Sequence, residues 1–143
     1  MSGKSQNFSQ ALLKLILQGV ALPGLAANDP LAPLSLLYVS LHTADPGPNG
    51  VQNVNEATYG SYSRVALPRS ALGFTVTSNT ASPAGSVTFP TATSGSETET
   101  FMGIGTAPNG AGLLLWSGAI SPSIAVSNGV QPVLSPTSIL TEN

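Results

Sequence analysis

Cysteine is absent from this 143-residue chain and charge is nearly so: four basic and six acidic residues make up 7% of the sequence, for a formal net charge of −2. Without cysteine there is no disulfide framework, no thiolate metal site and no cysteine nucleophile. Four cations neutralise few phosphates, which excludes nucleic-acid binding driven by counterion release. The same scarcity excludes a polybasic membrane-surface protein. The single histidine, His42, cannot make a transition-metal site, and six carboxylates without a repeated Asp spacing do not make a calcium loop. Long apolar runs are missing too. The longest, Leu12 to Ala27, is broken by Lys14, Gln18 and Pro23 and falls short of the roughly 20 apolar residues of a membrane span.

What is present points to a folded chain, since 41% of the residues are hydrophobic whereas disordered segments combine low hydrophobicity with high charge. The length fits one domain. With so few charges, Ser, Thr, Asn, Gln and the backbone meet water, and weak self-repulsion favours association. The chain reads as an assembly component.

At the N-terminus, Lys4 and Lys14 with the apolar Leu15 to Ala21 stretch and the small residues Ala26 and Ala27 resemble a secretory leader. Periodicity favours a different reading. Asn7, Gln10, Lys14 and Gln18 form one narrow polar stripe at helical spacing, so an amphipathic helix is expected from Asn7 to Ala21, stopped by Pro23 and Gly24. Phe8, Leu12, Leu13, Leu15, Ile16, Leu17 and Val20 cover the rest of its circumference. These seven residues are the expected docking face for a partner, although a helix packed entirely on its own domain is the competing reading.

From Leu34 onward, short β-type runs alternate with turn residues at the spacing of an antiparallel sandwich. Leu37, Val39 and Leu41 alternating with Tyr38, Ser40 and His42 form the clearest strand. Others are expected at Ser63–Leu67, Gly73–Thr77, Ser86–Phe89, Glu99–Thr106, Gly112–Ala119, Ser123–Ser127, Val130–Leu134 and Ser138–Thr141. Asn109-Gly110 and Asn128-Gly129 suit two-residue hairpin turns. The expected architecture is therefore an all-β body, residues 34–143, preceded by a helical arm and linker, residues 1–33. Leu37, Val39, Leu41, Val65, Phe74, Val76, Phe89, Phe101, Ile104, Leu115 and Trp116 are its expected core. Ala44 to Tyr62, with Pro46, Gly47, Pro48, Asn49, Gly50 and Gly60, is expected to be a long ordered loop, and Asp45, Asn49 and Glu56 its partner contacts.

Catalytic patterns fail one by one. His42 stands three residues before Asp45, but no Gly-x-Ser-x-Gly elbow supplies a nucleophile, and a strand-end histidine that anchors a loop by a hydrogen bond is the favoured reading. Gly103-Ile104-Gly105 begins a dinucleotide fingerprint, yet Pro108 occupies the third glycine position and no helix follows. Gly105 to Gly110 has P-loop spacing but Ala111 replaces the lysine. Glu97 and Glu99 would lie roughly 7 Å apart on one face of a strand, as an acid pair for glycoside hydrolysis, but the flanking Ser and Thr favour a solvated turn. Tyr59, Tyr62 and Trp116 could form a sugar platform, with core or interface filling the favoured reading of Trp116. No catalytic residue, metal ligand or cofactor site is expected, and no small-molecule substrate.

Several blocks together resemble a family of small virion proteins from tailed bacteriophages. They are LYVSLHTADP at Leu37 to Pro46, EATYGSYSRVAL at Glu56 to Leu67, Gly73 to Val76, VTFP at Val87 to Pro90, FMGIGTA at Phe101 to Ala107 and LLWSGA at Leu114 to Ala119. The similarity covers most of the chain, arm included, and the set is more specific than any one block. Within that family, whose members are often labelled tail fibre proteins, the chain most resembles the capsid cement, or decoration, proteins of Bordetella-type short-tailed phages. The resemblance implies a jelly-roll-like β-sandwich that assembles as homodimers on the exterior of an icosahedral head, with the major capsid protein as partner, and it transfers no catalytic residue. A protein that binds only the assembled lattice stabilises it by mass action, and many copies multiply a modest affinity. The rivals are a tail fibre or receptor-binding component and a small glycan hydrolase built on Glu97, Glu99 and His42.

Overall fold

Ser5 opens the first element in the computed structural model, which describes residues 4–142. Its hydroxyl accepts the Phe8 amide at 3.3 Å and caps a helix, α1 (Gln6–Gln18). The expected run to Ala21, with Pro23 and Gly24 as the stop, is corrected. Gly19 takes a left-handed φ of 69°, and the Gly19 and Val20 amides donate to the Leu15 and Lys14 carbonyls, each at 3.1 Å. A glycine that accepts positive φ without a Cβ penalty thus ends the helix one turn before the proline. Ser9, Leu13 and Leu17 recur every fourth residue as the buried face.

The chain forms two compact units: Met1–Leu36, Leu67–Gly85 and Ser135–Asn143 make the first, and Leu37–Ala66 with Ser86–Leu134 the second. In the first, α1 packs on β3 (Phe74–Thr77) and β4 (Thr80–Pro83), which pair antiparallel across Ser78-Asn79, and β9 (Leu140–Thr141) joins the far edge of β4. Leu13, Leu17, Leu22, Phe74 and Ala81 are its core. Each fully buried leucine contributes about 1.5–3 kcal/mol. β4 was not anticipated from the sequence, because Thr-Ala-Ser-Pro has no apolar alternation beyond Ala81.

The second unit is built on β1 (Leu36–His42), β6 (Ser96–Gly105) and β7 (Leu114–Ser127), which lie in a four-stranded sheet of order β2-β1-β6-β7 with β2 (Val65–Pro68) at its edge. β5 (Val87–Thr88) and β8 (Val133–Leu134) form a separate antiparallel pair. The fold is mostly β, with 39% of the described residues in strands or isolated bridges against 9% in helix. No helix among the described residues is long and apolar enough to cross a membrane.

Four expectations about strands and hairpins change. The runs Gly112–Ala119 and Ser123–Ser127 are one strand, β7, which continues through an irregularity: between the pairs Phe101↔Ala119 and Glu99↔Ile124, β6 advances by Thr100 alone while β7 advances through Ile120 to Ser123. β6 begins at Ser96, so Glu97 and Glu99 lie in a strand and not in a solvated turn. Asn109-Gly110 lies in a true β6–β7 hairpin, but the connection runs from Thr106 to Leu113 and is not a two-residue turn. Asn128-Gly129 does form a turn, closed by the Val130 amide on the Ser127 carbonyl at 2.9 Å; the strands beside it do not pair, since β8 goes to β5.

Of the expected core, Leu37, Val39, Leu41, Phe74, Phe89 and Ile104 are buried, while Val65, Val76, Phe101, Leu115 and Trp116 are only half-buried. Tyr59, Val87, Leu114, Val126 and Leu134 are core residues as well. More telling are the large buried polar side chains, His42, Gln52, Arg64 and Glu99, which join the smaller Ser9 and Ser40. All four belong to the second unit.

Candidate functional site

The segment between β1 and β2 has no strand of its own, yet it is pinned at intervals by polar side chains. Asp45 accepts the Gly47 amide at 2.8 Å on its carboxylate, and the Asn55 side chain donates to the Asp45 carbonyl at 2.8 Å. Asp45 and Asn49 are exposed, but Glu56 is not free for a partner. Arg64 takes it in a forked pair, Nε to Oε1 at 2.6 Å and Nη2 to Oε2 at 2.7 Å, and the same guanidinium donates to the Ala107 and Gly110 carbonyls at 2.8 and 2.6 Å. Tyr62 adds its hydroxyl to Glu56 at 2.9 Å and accepts the Leu41 amide at 3.1 Å. One cation thereby joins the long loop to the β6–β7 connection.

His42 does what the favoured reading of the sequence gives it. Its Nδ1 lies 2.8 Å from the Val54 carbonyl, which only accepts, so Nδ1 carries the proton and Nε2 accepts from the Ser40 hydroxyl at 2.8 Å. Burial first, opposed by the Val54 bond and the Glu56 charge, holds the imidazole below its ordinary value of 6.5. A hydroxyl on a neutral imidazole is the start of a nucleophilic dyad. Both side chains are nevertheless fully buried. The Gly103-x-Gly105 pattern finds its explanation in the same place. A Cβ at Gly103 would come within 2.8 Å of Ser40 Oγ and 2.9 Å of His42 Nε2, and one at Gly105 would collide with the Gln52 amide. These glycines make room for two buried polar side chains and not for a phosphate. Gln52 accepts the Ala107 amide at 3.2 Å and donates to the Tyr38 carbonyl at 3.4 Å.

At the opposite end of β6, Glu97 accepts the Thr58 and Tyr59 amides at 2.8 Å each and the Thr58 hydroxyl at 2.9 Å. Glu99 is 0% exposed, and neither of its carboxyl oxygens has a hydrogen-bond partner. Tyr59 sits over this pair, its hydroxyl donating to the Pro90 carbonyl at 3.1 Å and its ring edge-on to Tyr62 at 5.3 Å. Tyr62 in turn stacks on Phe89 at 6.3 Å. The three aromatic rings form packing and no open platform.

The first unit presents a different surface. Of the expected docking face on α1, Leu13 and Leu17 are fully buried in that unit's own core, Leu12, Leu15 and Ile16 are half-buried, and Phe8 and Val20 are exposed. Even the polar stripe is partly used, with Gln18 donating to the Phe74 carbonyl at 3.0 Å. The more open apolar side chains lie beyond the helix: Leu25, Leu31 and Leu72 are 79%, 93% and 84% exposed, joined by Leu34, Leu36 and Ile139. Sequence reasoning missed them because they show no periodicity. Among the described residues, eight of the eleven exposed large apolar side chains belong to this unit.

The strap that follows the helix, residues 23–36, is exposed except for half-buried Asn28, but it is held. Arg69 donates to the Leu15 and Ile16 carbonyls at 2.8 and 2.5 Å, to Asn28 Oδ1 at 2.5 Å and to the Leu34 carbonyl at 3.3 Å. A cation at the last carbonyls of a helix also meets its negative dipole end. Asp29 accepts the Leu31 and Ala32 amides at 2.9 and 3.4 Å, which turns the strap and lifts Leu31 outward. The backbone is thus fixed while its leucines face water. Arg64 and Arg69 are two of only four cations in the chain, and that rarity was the available signal for both.

No curated protein matches the chain. The family described as Podophage GP4 fiber I protein gp80 matches it over residues 3–141, almost its whole length. The chain belongs to that family, and so to the structural proteins of short-tailed phages.

Proposed function

We propose that the protein is a non-enzymatic cement of the phage head, bound to the outside of the shell and contacting the major capsid protein through the apolar surface of its first unit. The observation that carries this reading is the anchored strap, whose Leu25, Leu31 and Leu34 meet water while Arg69 and Asp29 fix the backbone beneath them. Exposed leucines on a restrained segment bury apolar area on a partner at about 25 cal/mol per Å² while little conformational freedom is lost on docking. The jelly-roll strand order and pairing with a second copy belong to the same proposal, as the resemblance implies. With 7% charged residues the contact is apolar, so attachment withstands salt.

The test is co-sedimentation of the full chain with phage heads that lack it, across a sodium chloride series, beside a Leu25→Asp/Leu31→Asp variant. Wild-type protein is expected to sediment at every salt concentration, and the folded variant to stay in the supernatant. Release of the wild type by moderate salt, or undiminished binding of the variant, overturns the reading. The fibre description of the family favours a second reading, a tail fibre component. Counting copies per virion separates the two, because a head cement occurs in proportion to the shell subunit and a fibre in far fewer copies.

A further inference from the structure

We propose that Glu97 and Glu99 share one proton, and that this proton latches the Thr58–Tyr59 segment onto the start of β6, so that its loss to solvent loosens that segment. The geometry begins with strand alternation. Residues two apart on β6 face the same side, which brings the two carboxyl groups together. Glu97 is committed as an acceptor to three donors from Thr58 and Tyr59. Glu99 beside it is sealed from water without a partner for either oxygen. An ionised carboxylate in that position has no donor to replace its lost hydration, whereas a neutral acid has an O–H to offer and Glu97 to receive it.

The titration behaviour agrees with this geometry. Glu99 is pushed from 4.5 up to about 8, by burial first and then by Glu97 as an acceptor and as a negative charge. Burial pushes Glu97 upward as well, but the Thr58 and Tyr59 amides, the Thr58 hydroxyl and Glu99 outweigh it and hold Glu97 below its ordinary value. Displacement of two neighbouring carboxyls in opposite directions is the behaviour of one proton on two sites. The groups around the pair supply no competing charge. Tyr59, from the loop, is neutral and pushed up to about 12 by burial and then by Glu99 and Glu97. β7 places Ile124 opposite Glu99 and has no charged residue from Leu114 to Ser127. β1 offers Tyr38 and His42, the latter held by Ser40 and Val54, and Glu56 and Arg64 are closed on each other.

The folded value of Glu99 is raised, so its contribution to stability is fully present below 4.5 and is lost as pH rises through about 8. His42 acts in the opposite sense and has finished above 6.5, which leaves the interval from 6.5 to about 8 to Glu99. The consequence is local as well as global, because the Thr58 and Tyr59 amides are donors to Glu97, and Tyr59 contacts Tyr62.

The full chain is to be followed by amide hydrogen exchange at Thr58 and Tyr59, corrected for the intrinsic pH dependence, alongside an NMR titration of carbon-13-labelled glutamate carboxyls. Protection at both amides is expected to fall by up to about tenfold for each pH unit as pH rises from 4.5 towards the Glu99 value and to level off above it, and in Glu99→Gln, which keeps a donor at that position, to stay flat. An equal fall in Glu99→Gln, or flat protection in the wild type, overturns the latch. Should that variant fail to fold, the wild-type titration decides alone: a Glu99 carboxyl that titrates near 4.5 overturns the proposal, and one that titrates near about 8 supports it.

Discussion

Arg64 and Glu56 meet as a forked ion pair in which the arginine side chain is only 1% exposed. The guanidinium has two further donors on the Ala107 and Gly110 carbonyls, so its removal orphans a half-buried carboxylate and two loop carbonyls together. Breaking a buried pair from one side costs about 3–5 kcal/mol. Arg64→Met is therefore expected to lower the unfolding free energy by that amount, and Arg64→Met/Glu56→Leu to recover much of it, since no carboxylate is then left without its cation. Chemical unfolding of the three proteins checks this, and an equal loss in single and double variants would refute it.

Arg69 does comparable work in the first unit, on the end of α1 and on the strap. Hydrogen bonds to charged groups contribute about 1.5–3 kcal/mol. Arg69→Ala is expected to lose about that much and to make the strap, residues 23–36, the first site of limited proteolysis. Wild-type protein with the same cleavage pattern and rate would show that Arg69 does not restrain the strap.

Leu17 and Leu31 separate the two uses of an apolar residue. Leu17→Ala empties a fully buried site and is expected to lose about 2–5 kcal/mol of stability, whereas Leu31→Ala changes it by no more than about 0.5 kcal/mol. Thermal unfolding of both variants provides the measurement. This contrast also shows where the sequence was legible. The helical period located α1 within three residues at either end, but a helix greasy on most sides does not reveal which side its own sheet will take. The buried face, Ser9, Leu13 and Leu17, includes a serine that no hydrophobicity pattern selects.

His42 sets the acid side of the stability profile. Burial disfavours its charged form, so the unfolded chain binds the proton more tightly, and stability is present above 6.5 and lost as pH falls below it. Glu99 titrates in the opposite sense over the same interval, so His42→Gln is expected to make stability fall more steeply with rising pH below 6.5 than in the wild type, while it lowers stability at neutral pH because glutamine does not reproduce both hydrogen bonds from one ring. Equal slopes below 6.5 in variant and wild type would contradict the assignment.

β1 and the glycine spacing of β6 illustrate the rest of what could and could not be read. Alternation of Leu37, Val39 and Leu41 found the strand, yet Ser40 and His42 on its other face are buried too, because the loop from Thr43 to Arg64 folds back and offers Val54 as an acceptor. Long-range partners of that kind leave no local trace. The burial of Glu99 was illegible for the same reason: the expected strand began there, but its Ser- and Thr-rich flanks look like a turn, and the loop bearing Tyr59 binds the strand at Glu97. The strap leucines lacked periodicity and had no signal apart from the rare cation that anchors them.

The outpocketing of β7 at Ile120 to Ser123 has a wider meaning for a protein this poor in charge. As the edge of its sheet, β7 would otherwise offer fourteen residues of uncharged main chain for a foreign strand to copy. The four-residue detour divides that template into two shorter pieces, Leu114–Ala119 and Ile124–Ser127, and breaks its register. Where other proteins stay apart by mutual repulsion, this one carries an open border that is bent out of shape.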